Sequence, residues 1–244
     1  EEFDEINNNK YKLLGSSTVL YQVQLLFGYL MKSQKKYYDT IPLCKSIKGF
    51  DGQPMPLGEQ QDANEFCSNI FDQLERQLKH TNKQNAVNES FGGTLINQMI
   101  SKEEDPELPY DINDIINERE EQFQTVSLVV KGKSNIKESL ELYIKGDILD
   151  GDNKYLCGKT NKKVKALKRV CFGKLPRHLI LHLARFDFDF NVMRRRKINS
   201  KLEYPFELNM FNFTKEGLMK NEESSKIPKQ KKKINNENKD NNDS

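Results

Sequence analysis

The sequence predicts an α+β fold, and three observations carry that expectation. Apolar residues recur at helical steps in the first third of the chain, while alternation and proline-marked extended pieces dominate the remainder. No internal repeat links the two halves. Val19, Val23, Leu26, Phe27 and Leu30 predict a helix from Val19 to Met31. A loop with Gly49, Gly52, Pro54, Pro56 and Gly58 leads into the strongest helical pattern, in which Phe66, Ile70, Leu74 and Leu78 recur every four residues and Cys67 and Phe71 widen the stripe. Asp62, Glu65 and Asn69 fall on one flank of that helix, near its N-terminus, where negative charge is favoured.

From Phe91 to Glu121 the pattern has no clean period. Phe123 to Val130 reads as a strand with Val126, Leu128 and Val130 on one face. Ile136, Leu140, Tyr143 and Ile144 predict a short helix with Asn135 as N-cap, Glu138 completing a capping box and Gly146 stopping it. Leu179, Leu181 and Leu183 alternate with His178, Ile180, His182 and Ala184 as a further strand, and Tyr204-Pro205-Phe206 marks an extended segment. Residues 1–10 and 218–244 are too polar to bury a core and are expected to be disordered.

Charge nearly balances, with 39 basic and 36 acidic residues among 244 and a net charge of +3, so no nucleic-acid partner is expected. No apolar run approaches the roughly 20 residues a bilayer span needs, so no membrane partner is expected either. The N-terminus lacks the layout of a secretory signal and an initiator Met, as an excised segment would. Four scattered cysteines, Cys44, Cys67, Cys157 and Cys171, indicate a reducing compartment: the cytoplasm, with the nucleus also open.

Three stretches, in order, resemble the ubiquitin-specific protease family, and the likeness runs from about Val19 to Phe213. Glu59-Gln60-Gln61-Asp62-Ala63-Asn64-Glu65-Phe66 is similar to its glutamine-glutamine-aspartate box. Leu140-Glu141-Leu142-Tyr143 followed by Gly151 to Cys157 is similar to the approach to its second zinc-binding cysteine pair. Leu175 to Asp187, with Lys197-Ile198-Asn199 and Tyr204-Pro205 after it, is similar to its palm box. Within the family the likeness is greatest to the fat-facets group. The resemblance implies a papain-like cysteine protease fold, only partly covered: thumb helices at about 19–90, fingers at 91–174 and palm strands at 175–217. It also implies ubiquitin and ubiquitinated proteins as partners, and hydrolysis of the isopeptide bond after the ubiquitin C-terminal glycine. Gln60, Asp62, Glu65, Arg185 and Phe186 are the ubiquitin-binding candidates. A tail carrying arginines needs carboxylates on a rigid element, and Asp62 and Glu65 meet that need.

The chemistry requires a thiolate, a histidine and a group to orient it. The family's nucleophile box has no match here; the nearest echo, Leu14 to Val19, puts Val19 where the cysteine would stand. His80, His178 and His182 do not sit where the family's histidine does. No catalytic residue is therefore expected within this segment. No cofactor or metal is expected, because the four zinc positions read Ser101, Glu104, Cys157 and Thr160, and one thiol cannot hold a structural zinc. Met193 to Lys197 reads as a solvated hairpin tip, and Lys229 and Lys231 to Lys233 as low-complexity insertion. Two functions stay open: a deubiquitinase with its catalytic pair elsewhere, and an inactive ubiquitin-binding module.

Overall fold

The computed structural model describes residues 18–49, 51–56, 58, 60, 62–102, 114–158, 160–190 and 193–226. The expectations for residues 1–10, Glu104 and 227–244 fall outside them, as do Leu14 to Ser17, Glu59 and Gln61. The chain divides into two compact units. The first takes the described residues up to Gly93 with Phe123–Val126 and Leu175–His182, and the second takes the rest.

Four helices build most of the first unit: α1 (Val19–Lys32), α2 (Ile41–Ser46), α3 (Ala63–Leu78) and α4 (Ala86–Phe91). Thr18 caps α1, its hydroxyl accepting from the Tyr21 amide at 3.3 Å. The expected stripe of α1 is corrected in part: Val19 is buried, but Phe27 and Leu30 are exposed, and the buried neighbour of Val19 is Gln22. On α3 the stripe Phe66, Ile70, Leu74 and Leu78 is half-buried, and the fully buried positions are Asn69, Phe71 and Gln73. Phe71 stacks on Phe91 with ring centroids 4.8 Å apart, and Phe91 meets His178 at 5.6 Å.

In the second unit, β1 (Gly93–Ser101), β2 (Ile115–Phe123), β4 (Asp147–Leu149) and β7 (Ala166–Phe172) form a sheet in the order β2-β1-β7-β4. β7 runs antiparallel to both β1 and β4. Smaller pairs join β5 (Tyr155–Cys157) to β6 (Lys162–Val164) and β9 (Phe186–Asp189) to β10 (Arg194–Lys197), while β3 (Thr125–Val129), divided after Val126, pairs with β8 (Ile180–Ala184), divided after His182. Among the described residues, the unpatterned stretch after Phe91 holds two long strands. β2, Ile-Ile-Asn-Glu-Arg-Glu-Glu-Gln-Phe, is an edge strand with a mostly exposed surface, so nothing in it alternates.

Helix α5 (Ile136–Lys145) starts and stops where its signals predict. The Asn135 side chain accepts from the Glu138 amide at 3.0 Å, and Glu138 returns to the Ser134 amide at 2.9 Å. Gly146 ends it at φ 71°, and a Cβ there would lie 2.5 Å from the Lys168 carbonyl oxygen, so glycine is required twice over. The last helix, α6 (Lys215–Lys226), corrects the expectation that order ends at 217. Thr214 accepts from the Gly217 amide at 3.1 Å, Glu216 pairs with Lys220 at 3.0 Å, and Lys215 and Glu222 form ion pairs with Glu118 and Arg169. A tail-like composition was compatible with a helix because Lys, Glu, Leu and Met are all strong helix formers. The basic run is corrected too: Arg194 to Lys197 is the second strand of the hairpin, exposed as expected, rather than its tip.

Candidate ubiquitin-binding site

The candidate carboxylates stand at the start of α3, and the sequence there explains the geometry. Asp62 has extended backbone, φ −70° and ψ 125°, and is the N-cap. Its Oδ1 accepts from the amides of Asn64 at 2.8 Å and Glu65 at 3.1 Å, while its carbonyl takes the first helical bond, from Phe66 at 2.9 Å. Asp62 therefore precedes the helix rather than lying on its flank. Glu65 follows in the first turn, and both residues are exposed, as is Gln60 before them. Asn69, expected on the same flank, is instead buried: its Nδ2 donates to the Lys48 carbonyl at 2.8 Å.

The helix behind these groups is held at several points. Gln73 Nε2 donates to Asn69 Oδ1 at 2.8 Å and to the Lys48 carbonyl at 2.9 Å, and its Oε1 accepts from the Lys48 amide at 3.2 Å. Gln77 accepts from the Leu20 amide at 2.8 Å, which ties α1 to α3. A cavity of about 210 Å³ opens beside Glu65, lined by Gly49, Asp51, Gln53 to Pro56, Phe66 and Asn69. The glycine- and proline-rich loop thus makes one wall of a recess next to the carboxylates, something its composition alone does not announce.

Arg185 and Phe186 belong to the second unit. The Arg185 guanidinium donates through Nη1 to the carbonyls of Ile198 and Ser200, both at 3.0 Å, and its own carbonyl accepts from the Ile198 amide at 2.6 Å. Its evident task is to fasten the chain after β10. Phe186 is exposed at the start of β9.

Two of the four thiols are poorly suited to attack. Burial pushes Cys171 up to about 11 and raises Cys67, so both are held protonated. The His178 ring lies against Phe91 with Nδ1 3.3 Å from the Ser90 carbonyl, a packing role. Ser101 ends β1, Cys157 is buried at the end of β5, and Thr160 lies in the turn after it. Among the described residues no group of three or more His, Cys, Asp or Glu is placed to hold a metal ion.

A family model described as ubiquitin carboxyl-terminal hydrolase matches residues 1–227. The chain belongs to that family. Ubiquitin carboxyl-terminal hydrolase 34 of Homo sapiens is 35% identical over 83% of this chain, and ubiquitin carboxyl-terminal hydrolase 24 of Mus musculus is 34% identical over 86%. The probable ubiquitin carboxyl-terminal hydrolase FAF of Drosophila melanogaster is 36% identical over 83%. The chain spans only 5%, 8% and 7% of the length of these three. Among solved structures, the SAGA Ubp8/Sgf11/Sus1/Sgf73 DUB module bound to ubiquitin aldehyde aligns with a TM-score of 0.66 over 87% of this chain and 47% of that one, at 24% identity. That likeness gives the fold, which is papain-like. The same module bound to monoubiquitin aligns at 0.54 over 64% of this chain and 34% of that one, at 28% identity.

Proposed function

We propose that this segment grips ubiquitin for a thiol-dependent deubiquitinase, which hydrolyses the isopeptide bond after the ubiquitin C-terminal glycine. In this reading the segment supplies binding and scaffold parts, and the catalytic cysteine and histidine come from elsewhere in the protein. Its partners are ubiquitin and ubiquitinated proteins. The observation that carries the reading is a family member whose α3 is fastened at Lys48 and Leu20 and presents Asp62 and Glu65 to solvent at its N-terminal end. An arginine-bearing, extended tail would meet two carboxylates on a rigid base, the charge-assisted pairing that gives the stronger hydrogen bonds. Gln60 can donate to and accept from the tail backbone. The protonated state of Cys67 and Cys171 supports placing the nucleophile elsewhere.

Two measurements test this. Asp62→Lys with Glu65→Lys should weaken ubiquitin binding at least about fivefold in a titration, a modest loss because partly exposed pairs contribute little each. Unchanged affinity would remove the site. A ubiquitin carrying a cysteine-reactive C-terminus should form no covalent adduct with the 244-residue chain, and an adduct would refute the assignment of the nucleophile. The full-length protein should form one; its failure to do so would favour the inactive binding module, the reading to which the lost cysteines at Ser101 and Thr160 lend support.

A further inference from the structure

A further cavity in the helical unit, of about 390 Å³, opens where the start of α1, the loop after α2 and the second half of α3 meet. Among the described residues, neither an acidic residue nor an aliphatic or aromatic one lines it. Its side-chain amide acceptors are already spent inside the protein. Asn69 Oδ1 accepts from Gln73 Nε2 at 2.8 Å, Gln73 Oε1 from the Lys48 amide at 3.2 Å, and Gln77 Oε1 from the Leu20 amide at 2.8 Å. Four of its donors are not spent. Arg76 donates through Nε to the Asp72 carbonyl at 3.1 Å, which leaves both Nη groups without an acceptor among the described residues. The Lys48 ammonium and Gln77 Nε2 have none there either. The Thr18 hydroxyl accepts from the Tyr21 amide at 3.3 Å and keeps its own hydrogen to give.

We propose that this cavity binds a phosphomonoester, at a site separate from the carboxylates of α3. Two cations without a counter-ion select an anion, and open donors beside spent acceptors select one rich in lone pairs. A carboxylate brings two oxygens and a single charge. A phosphomonoester brings three terminal oxygens and a charge of about −1.5 to −2 at pH 7, which matches Lys48 and Arg76 together. Arg76 can hold two of those oxygens side by side, while Lys48 serves as a point charge. Thr18 and Gln77 supply the remaining donors, so a single ligand would tie the start of α1 and the loop after α2 to α3. A nucleobase or a lipid chain fits less well, because such groups are bound by aromatic and aliphatic walls. This site does not depend on ubiquitin being gripped at Asp62 and Glu65.

The test titrates the whole 244-residue chain calorimetrically with glycerol phosphate and, separately, with a phosphoserine peptide, at an ionic strength held constant by potassium chloride. At least one should bind saturably and raise the melting temperature. Binding of glycerol phosphate would make the source a small metabolite, and binding of the peptide alone would make it a phosphorylated protein. Lys48→Gln with Arg76→Gln should weaken binding about tenfold or more. Lys45→Gln with Lys79→Gln removes the same charge from positions outside the cavity and should change affinity less than about twofold. All four side chains are exposed, so the far-ultraviolet dichroism of each variant should match the parent. Equal losses from the two pairs would reduce the effect to general attraction and overturn the proposal. So would the absence of both saturable heat and a melting shift with the two ligands. A dicarboxylate that bound more tightly than either phosphate would overturn the choice of ligand, as would adenosine monophosphate if its base added affinity.

Discussion

In the helical unit the buried amide of Gln73 bonds only neutral groups, whereas in the sheet unit Gln98 lies between two charges. Gln73 bridges Asn69 to both backbone groups of Lys48 and so fastens the loop after α2 to α3. Gln98, 1% exposed, donates to Glu118 Oε2 at 2.8 Å and accepts from Arg169 Nε at 3.0 Å. The chain of charges continues to α6, where Lys215 meets Glu118 at 2.6 Å and Glu222 approaches Arg169 at 3.8 Å. The tie at Gln73 is made of amides, which do not titrate, and the tie at Gln98 includes ions, which do. A buried ion needs its partners far more than a buried amide does, because an unpaired charge in low dielectric is costly. Carboxylates serve the fold in both units, Asp62 as the cap of α3 and Glu118 between Gln98 and Lys215.

Amide exchange, read separately in each unit, should show the largest contrast between the two glutamines. Gln98→Ala breaks two hydrogen bonds to charged groups and should lower the opening free energy of β1 and β7 amides by about 4 kcal/mol. Gln73→Ala breaks three neutral bonds and should cost α3 amides about 2 kcal/mol. Equal effects would mean that the distinction between neutral and charged ties has no energetic content.

The same distinction explains what could be read beforehand. Local signals were legible wherever one residue does one job: Asn135, Glu138 and Gly146 delimit α5 because capping and positive φ depend on near neighbours alone. The order and spacing of the three family-like stretches were legible for the same reason. What stayed hidden depends on distant partners. β1 carries Gln98 between Ile96 and Ile100 on its buried face, so its inward alternation includes a polar residue that Glu118 and Arg169, 20 and 71 positions away, make acceptable. β2 has little apolar signal because most of it faces water, and α6 looked like the start of a disordered tail because its ion-pair partners lie in β2 and β7. At the candidate site the exposure of Glu65 was legible from the helix period. The capping role of Asp62 and the burial of Asn69 were not, since the first depends on where the helix begins and the second on the Lys48 loop.

Asp62 offers a sharper cut, because in the helical unit charge and structure are separable at one residue. Asn caps a helix about as well as Asp does, so Asp62→Asn should leave stability nearly unchanged, while Asp62→Ala should cost about 1 kcal/mol by urea unfolding. If the charge is there for a cationic partner, both variants should weaken ubiquitin binding to a similar degree. Should Asp62→Asn bind ubiquitin as the parent does, with only Asp62→Ala impaired, the residue would be a cap and nothing more.

Glu118 is the counterpart in the sheet unit, where charge and structure cannot be separated, and the difference should appear as a pH dependence. Burial pushes the Glu118 carboxyl up, but the bonds from Lys215 and Gln98 outweigh it and hold the group below its ordinary 4.5. A carboxyl whose folded value is lowered binds its proton more readily once unfolded. The stabilisation it brings is therefore fully present above pH 4.5 and is lost as pH falls through the lowered folded value. Glu118→Gln should reduce stability at pH 7 by no more than about 1 kcal/mol, because the pair with Lys215 is only part-buried. Its deficit against the parent should shrink as the pH is taken below 4.5. The exchange of α3 amides should not respond to Glu118→Gln, which leaves the bonds of Asn69 and Gln73 to Lys48 in place. A deficit that stayed constant with pH would show that Glu118 holds α6 by shape rather than by charge, and the contrast between the two units would lose its electrostatic half.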